Sequence, residues 1–299
     1  MIARGRRAVW LGFVLLTLAG APAGAQQLPG DTFSFPSHGS ALRARYYRST
    51  LPGPRPTVLL VHGFPGGPVD MLGLGVALSE AGWNALFYNP RGMHGSEGEY
   101  APEGGIEDAA VALAYLRDGA ARFAVDTAHM AVVGYSHGGW VALMTGIRGT
   151  PVRCIAAIAP DNLGLAARRI DSDSVYAAGL RQALQGAAQR GFVRGLGFEA
   201  ASAQLRAHRD EYDPTLHAAA LAGRAVLIVG GWRDNGPTIE LYIAPLVRAL
   251  RAGGARVTPV ALDDDHAFRT ARQELHRSLL DWLGRECARA QPTTGTAPG

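Results

Sequence analysis

The sequence predicts an α/β fold, an open and mostly parallel sheet with helices on both faces. Short apolar runs rich in β-branched residues recur along the chain, and helical patterns lie between them. Such runs are typical of buried parallel strands, and alternating strands and helices indicate βαβ units. Of the 299 residues, 47% are hydrophobic and 18% are charged, which provides enough apolar material for one large core.

The predicted elements follow one another in a regular order. Residues 31–37 and 42–50 are predicted to form an antiparallel entry hairpin. The buried strands are predicted at residues 57–62, 84–88, 130–134, 152–159, 225–229 and 256–261. The helices between and after them are predicted at residues 69–81, 103–123, 137–147, 238–252 and 267–288.

One segment, residues 161–222, breaks this alternation. It is rich in Ala and Arg, mostly helical in pattern, and too long for a simple connection within a compact domain. We therefore expect a small helical cap inserted into a single domain that spans residues 26–288. Large apolar side chains of this segment could line a pocket: Leu163, Leu165, Val175, Tyr176, Leu180, Phe192, Leu196 and Phe198.

The composition excludes several classes of function. All 29 basic residues are arginine, so a Schiff-base lysine, a pyridoxal-phosphate enzyme and a Walker-A phosphate loop are excluded. The nine histidines show no HExxH or other metal-ligand spacing, and we predict no metal and no organic cofactor. Three of the charges behind the net +4 lie at Arg4, Arg6 and Arg7, so no basic block predicts a nucleic-acid partner.

The first 25 residues have the three parts of a secretory signal. The arginines form the positive region, residues 8–19 are apolar, and Ala23-Gly24-Ala25 is a small-residue cleavage site. A helix over 8–19 spans about 18 Å, short of the ~30 Å hydrocarbon core, and no cysteine is near for lipid attachment. We expect an exported, periplasmic or extracellular protein with no stable membrane insertion. Residues 289–299 are expected to be a disordered tail.

A strand, a turn and a helix meet at the predicted nucleophile. The strand at 130–134 continues into Gly134-Tyr135-Ser136-His137-Gly138, a G-x-S-x-G pattern, and a helix follows. In this context the serine occupies a strained turn that lifts its hydroxyl above the sheet. Ser136 is therefore the candidate nucleophile, and the backbone N–H of His137 is a candidate donor to an oxyanion.

A glycine-rich loop, His62-Gly63-Phe64-Pro65-Gly66-Gly67, follows the first buried strand. An oxyanion hole needs a second backbone N–H aimed at the same point, and Pro65 has none to offer. Phe64 and the glycines remain as candidate donors. We interpret His62 as a residue that organises this loop and not as a catalytic base.

These residues resemble the α/β-hydrolases, most closely the branch that contains dienelactone hydrolases and the catalytic domains of prolyl-oligopeptidase-like peptidases. The resemblance covers roughly residues 31–288. It depends on the HGFPGG loop, the GYSHGG turn with Val125-Asp126 before it, and three further segments: NPRGMHGSEG at 89–98, GGWRD at 230–234 and DHAF at 265–268. The resemblance implies that Phe64 gives the first oxyanion N–H. The sequence departs from it at Gly230, where relatives often have His, and in the cap.

The triad in this fold runs in the order Ser, acid, His. Asp234 follows the strand at 225–229 and His266 follows the strand at 256–261. Both loops leave the carboxyl edge of the sheet, where ligands bind in open α/β folds. The sequence thus predicts a triad of Ser136, Asp234 and His266. Asp161, after the strand at 152–159, is a rival for the acid.

The sequence predicts an exported serine hydrolase that cleaves a carboxylic ester through an acyl-enzyme. Its substrate would be a small-molecule or short-peptide acyl compound. A peptidase or amidase is the alternative, favoured if Glu97, Glu99, Glu103 or Asp161 surrounds the pocket. An acyltransferase, or a non-catalytic binding module on a hydrolase scaffold, stays open as well.

The chain has two cysteines, Cys154 and Cys287. Cys154 begins a core strand at the amino edge of the sheet. The last helix starts at the carboxyl edge and runs back, so its end, with Cys287, reaches the same amino edge. Export would permit a disulfide between them, and two separate buried thiols are the alternative.

Overall fold

The structure is a computed structural model that describes residues 30–195 and 197–288. The predicted secretory signal at 1–25, the predicted tail at 289–299 and Leu196 of the cap segment lie outside the described residues. The prediction of an open, mostly parallel sheet is confirmed.

Eight strands form one sheet in the order β1-β2-β4-β3-β5-β6-β7-β8. Their bounds are β1 Asp31–Ser37, β2 Ser40–Tyr47, β3 Arg55–Val61, β4 Asn84–Tyr88, β5 Val125–Tyr135, β6 Cys154–Ile158, β7 Ala225–Gly231 and β8 Arg256–Leu262. β2 is antiparallel to both β1 and β4, and the pairs from β4 through β3 to β8 are parallel. The carboxyl ends of the parallel strands therefore meet at one edge.

Nine α-helices accompany the sheet within the described residues. They are α1 Leu74–Glu80, α2 Pro102–Asp118, α3 Ala120–Phe123, α4 His137–Ile147, α5 Leu163–Ser172, α6 Ser174–Gln189, α7 Phe198–Ala207, α8 Ala244–Ala252 and α9 Arg272–Glu286. A 3₁₀ turn at Ala218–Leu221 precedes β7, and a π-helical turn at Ile239–Ile243 precedes α8. None of the described helices has both the length and the apolar character needed to cross a membrane.

The strands send alternate side chains to opposite faces, which gives the protein two cores. Leu59 and Val61 of β3 pack in the core that contains α2, α4 and the helices after β6. Val58 and Leu60 of the same strand pack in the core that contains α1 and α9. Burial on both faces explains why these strands read as continuous apolar runs and not as alternating ones.

Two helices begin later than the sequence pattern predicts. α1 starts at Leu74 because Leu72 (φ 57°) and Gly73 (φ 74°) take left-handed backbone conformations that no right-handed helix contains. α9 starts at Arg272, since the carboxylate of Asp264 accepts hydrogen bonds from the N–H groups of Thr270 and Ala271, each at 2.7 Å. Local backbone and side-chain bonding at these loops decides the helix boundaries.

The segment between β6 and β7 contains α5, α6 and α7. Its residues 192–195 run beside the loop that follows β4. Val193 forms a bridge with Met93, and Gly195 forms one with Tyr100. The Tyr100 N–H also donates to the Arg194 carbonyl at 2.9 Å. The inserted helices are thereby attached to the β4 loop, close to the carboxyl edge of the sheet.

The two cysteines lie at the opposite edge and form a disulfide, with their Cα atoms 6.0 Å apart. Cys154 opens β6, and Cys287 is the residue after α9. The prediction that both thiols reach the amino edge is confirmed, and the bond joins the end of the last helix to a central strand.

Candidate active site

Ser136 sits at the junction of β5 and α4 with φ 56° and ψ −122°, a strained backbone conformation for a residue with a side chain. Its N–H donates to the Ile158 carbonyl at 2.8 Å, which fixes the turn against β6. Gly138 permits the close approach, because a Cβ there would lie 2.0 Å from the Val61 carbonyl oxygen. The packing of α4 on β3 thus requires the second glycine of the G-x-S-x-G pattern, Gly138.

Three side chains form one line of hydrogen bonds at the carboxyl edge. The Ser136 hydroxyl donates to Nε2 of His266 at 2.9 Å. Nδ1–H of His266 donates to Oδ2 of Asp234 at 2.7 Å. The Asp234 side chain is fully buried, and that of His266 is 38% exposed. The imidazole is partly exposed to solvent, so a substrate could contact it. The buried Asp234 carboxylate holds the orientation of the ring from the other side.

Neighbouring groups hold this line in place. The Gly236 N–H donates to Oδ1 of Asp234 at 2.8 Å, so both oxygens of the buried carboxylate have a donor. The Tyr135 hydroxyl donates to the backbone carbonyl of His266 at 2.8 Å, and its ring lies 5.1 Å from the imidazole. Backbone hydrogen bonds lower the pKa of the Asp264 carboxyl to about 2, and this buried carboxylate accepts the N–H groups of Thr270 and Ala271 at the end of the loop that carries His266.

The two residues predicted to give oxyanion donors both lie close to the serine. A Cβ on Gly63 would lie 3.0 Å from the Ser136 Cβ, so the loop that carries Phe64 touches the elbow. His137 is the first residue of α4, and the first N–H groups of a helix have no intrahelical acceptor. Phe64 and His137 both line the smaller cavity that opens from Ser136.

The buried imidazoles next to these donors are held neutral. Burial lowers the pKa of His137 to about 3, and its Nε2 accepts the Tyr100 hydroxyl at 2.5 Å. Burial likewise lowers the pKa of His62 to about 4, and its Nδ1–H donates to the Gly63 carbonyl at 2.7 Å. His62 thus fastens the glycine-rich loop, as its position in the sequence predicts.

Two cavities open from Ser136. The larger, about 630 Å³, is lined mainly by charged and polar residues and is called the polar cavity; on the His266 side these are Arg169, Tyr176, Arg233, Asn235 and Tyr242. The smaller, about 180 Å³, is mostly apolar and is lined by Phe64, Tyr100, His137, Leu163, Leu180, Leu184, Ala201 and Leu205. The inserted helices α5, α6 and α7 therefore supply side chains to the site.

The eight apolar side chains predicted to line a pocket have different positions. Leu163, Tyr176 and Leu180 line the cavities. Leu165, Phe192 and Phe198 pack against the apolar clusters instead, Val175 is 81% exposed to solvent, and Leu196 lies outside the described residues. The sequence did not predict Tyr100, Arg169 or Tyr242 as site residues. They line the cavities because segments far apart in sequence pack together, and no local pattern marks such residues.

Asp161, the rival acid, is close to the serine but has a different partner. Its N–H donates to the Ser136 carbonyl at 3.1 Å, and its Oδ1 accepts the Asn162 N–H at 2.8 Å. The carboxyl lines both cavities. Burial raises its pKa, and the charges of His266 and Arg169 act in the opposite direction. Nδ1–H of His266 donates its hydrogen bond to Asp234 and not to Asp161.

Among residues 30–195 and 197–288, no group of three or more His, Cys, Asp or Glu side chains is placed to hold a metal ion. Glu97, Glu99 and Glu103 do not line either cavity, which leaves Asp161 as the one member of that predicted group at the site.

Several solved structures resemble this one. An esterase, Pf2001 of Pyrococcus furiosus, superposes with a TM-score of 0.66 at 17% identity, covering 86% of this chain and 91% of that one. Est1E from Butyrivibrio proteoclasticus with bound ferulic acid has a TM-score of 0.63 at 15% identity, covering 86% and 100%. The acylaminoacyl peptidase of Pyrococcus horikoshii has a TM-score of 0.64 at 13% identity, covering 89% and 43%.

None of the curated proteins compared with the chain matches it. A family model described as the alpha/beta hydrolase fold matches residues 56–243. That range begins in β3, contains the GYSHGG elbow and the inserted helices, and extends past Asp234. The strand order, the elbow and this match confirm the resemblance seen in the sequence, and the chain belongs to the α/β-hydrolase fold family.

Proposed function

We propose that the protein is a serine hydrolase that cleaves carboxylic esters through an acyl-enzyme. The observation that supports this most strongly is the continuous line of hydrogen bonds from the Ser136 hydroxyl through His266 to the buried carboxylate of Asp234. Membership of the α/β-hydrolase family and the esterase among the structural neighbours support a hydrolase in general.

The proposed reaction uses each of these groups in turn. Nε2 of His266 takes the proton of the Ser136 hydroxyl as its oxygen attacks the substrate carbonyl, and Asp234 stabilises the resulting imidazolium. The backbone N–H groups of Phe64 and His137 donate to the oxyanion of the tetrahedral intermediate. His266 then gives its proton to the departing alcohol, which leaves the acyl group on the serine.

Water completes the cycle by the same route. His266 removes a proton from a water molecule that attacks the acyl-enzyme, and returns this proton to the serine oxygen as the acid leaves. No step requires a metal or an organic cofactor. We further propose, from residues 1–25, that the enzyme acts outside the cytoplasm.

A peptidase or amidase of the prolyl-oligopeptidase-like type is the second candidate. Asp161 favours it, because this carboxyl lines both cavities beside Ser136 and could hold a substrate amine. The fold similarity to an acylaminoacyl peptidase is compatible with that chemistry, although this chain covers 43% of that protein.

A substrate panel tests the proposal. Hydrolysis of p-nitrophenyl esters from acetate to palmitate is measured beside aminoacyl p-nitroanilides, with wild-type protein and with Ser136→Ala. We expect turnover of esters above anilides, and a loss of about 10⁴-fold or more in the variant. Anilides cleaved faster than every ester would favour the peptidase, and equal ester turnover by the variant would remove Ser136 as nucleophile.

A further inference from the structure

The two cavities at the candidate site share two lining residues, Ser136 and Asp161. Every other residue that lines the polar cavity is absent from the lining of the apolar one. The Asp161 N–H is bonded to the Ser136 carbonyl, so the two residues are fixed side by side at the junction. A substrate bound across both cavities would pass this carboxyl next to the bond that is cleaved.

The positions of the proposed acid and oxyanion donors assign the two cavities to the two halves of a substrate. His266 gives its proton to the leaving group, and it lines the polar cavity. Phe64 and His137, whose N–H groups would hold the oxyanion, line the apolar cavity. The leaving group therefore belongs in the polar cavity. The side chain of the acyl group belongs among Leu163, Leu180, Leu184 and Leu205.

The Asp161 carboxyl has spare capacity to accept hydrogen bonds. Oδ1 accepts the Asn162 N–H, and within the described part of the chain Asp161 takes part in no ion pair. The arginines that line the polar cavity have other partners. Arg169 pairs with Asp173 at 3.1 Å and Arg233 with Asp263 at 3.3 Å.

Burying a carboxylate without a direct counter-charge costs desolvation free energy. A cationic hydrogen-bond donor on the ligand offsets this cost. Burial raises the pKa of Asp161, and the charges of His266 and Arg169 offset this effect only in part, so a cation on the ligand would favour the charged carboxylate. The charge of Asp161 contributes to the raised pKa values of three nearby tyrosines, Tyr100, Tyr176 and Tyr242. Two of these hydroxyls have other partners: Tyr100 donates to His137, and Tyr242 accepts from Arg169.

We propose that Asp161 binds the α-ammonium group of the substrate, and that the substrate is an ester or amide of an α-amino acid with an apolar side chain. The ammonium would sit at the junction, the apolar side chain in the smaller cavity and the leaving group in the larger one. This inference rests on the proposed function, since it assigns the acyl half of the substrate that Ser136 attacks.

Three ethyl esters of equal carbon skeleton test the inference: L-leucine ethyl ester, ethyl 4-methylpentanoate, and ethyl 2-hydroxy-4-methylpentanoate. They differ only in an ammonium group, a hydrogen or a hydroxyl on the carbon beside the carbonyl. Acid release is followed in a pH-stat at about pH 6.5, where an α-amine is mostly protonated. We expect kcat/KM for the leucine ester to exceed that of the unsubstituted ester by about 10- to 100-fold.

The variant Asp161→Asn keeps the shape of the side chain and removes its charge. We expect the ratio of the two kcat/KM values to fall to near one in this variant. The matched control Asp171→Asn removes an exposed carboxylate of α5 that lines neither cavity, and should keep the wild-type ratio. The wild-type ratio alone is decisive if Asp161→Asn does not fold.

A wild-type ratio at or below one would overturn the inference, as would a ratio that Asp161→Asn leaves unchanged. A hydroxy ester cleaved as well as the leucine ester would overturn the assignment of an ammonium group. All of these results leave the proposed serine hydrolase standing, because esters are still cleaved. Failure to hydrolyse any of the three esters and any p-nitrophenyl ester would overturn both proposals.

Discussion

The Tyr100 hydroxyl donates a hydrogen bond of 2.5 Å to Nε2 of His137, the residue directly after Ser136. The ring of Tyr100 also lies 5.7 Å from the ring of Phe64. One side chain therefore contacts both residues whose backbone N–H groups are proposed to form the oxyanion hole. Tyr100 is in turn bridged to Gly195, so the inserted segment and the proposed oxyanion hole are joined through it.

This contact predicts that Tyr100 is a positioning residue. Tyr100→Phe keeps the ring against Phe64 and removes the bond to His137, which loosens one oxyanion donor. We expect kcat on a minimal acetate ester to fall about 3- to 30-fold while KM changes by less than about twofold. Steady-state kinetics at several pH values make the measurement. A raised KM with an unchanged kcat would indicate a role in substrate binding instead.

The buried imidazoles predict how stability depends on pH. The pKa values of His62 and His137 are lowered to about 4 and 3, below the ordinary value of 6.5. Between pH 6.5 and pH 4 the unfolded chain binds more protons at these sites than the folded one. The free energy of unfolding therefore falls as the pH drops through this window, by up to about 1.4 kcal/mol per pH unit for each histidine.

Urea denaturation at pH 7 and pH 5 checks this slope in wild type and in His62→Asn, whose amide can still donate to the Gly63 carbonyl. We expect a smaller loss of stability in the variant. Burial raises the pKa values of Asp70 and Asp108, which favours the folded state as the pH falls. Only the difference between the two proteins isolates His62, and identical slopes would contradict its assignment as a buried neutral group.

The disulfide predicts a stability effect without an effect on the site. It links residues 133 apart in sequence and lies at the edge of the sheet opposite Ser136. Closing such a loop is worth at most about 5 kcal/mol in the chain-entropy model. Reduction should lower Tm and leave ester turnover at room temperature unchanged. The double variant Cys154→Ala/Cys287→Ala should not respond to reductant, and two free thiols in denatured, non-reduced protein from an oxidising compartment would rule the bond out.

The sequence predicted the strands and the elbow well because their signals are local. The β3 residues 58–61 are apolar on both faces, and Ser136 stands between glycines that the packing of α4 demands. Helix starts were harder to predict. No periodic pattern encodes the left-handed backbone of Leu72 before α1. Nor does one encode the hydrogen bonds that Asp264 accepts from the two residues before α9.

The residues that line the two cavities were harder still to predict. Tyr100 and His137 are 37 positions apart in sequence, and Arg169 and Tyr242 are 73 apart. Tyr100 reaches His137 from the loop after β4, and Arg169 meets Tyr242 because α5 packs over the carboxyl edge. The identity of the proposed nucleophile, base and acid could thus be inferred from motifs and chain order. The surroundings that select a substrate required the three-dimensional arrangement.

Labelling with a fluorophosphonate tests the central claim most directly, since such a probe reacts with a serine only when a neighbouring base activates it. The probe is added to wild type, Ser136→Ala, His266→Ala and the exposed-serine control Ser172→Ala, and peptides are mapped by mass spectrometry. We predict one label per chain on Ser136 in wild type and control, none in Ser136→Ala, and labelling slowed by about 10³-fold or more in His266→Ala. Labelling of Ser136→Ala at the wild-type rate would contradict the account.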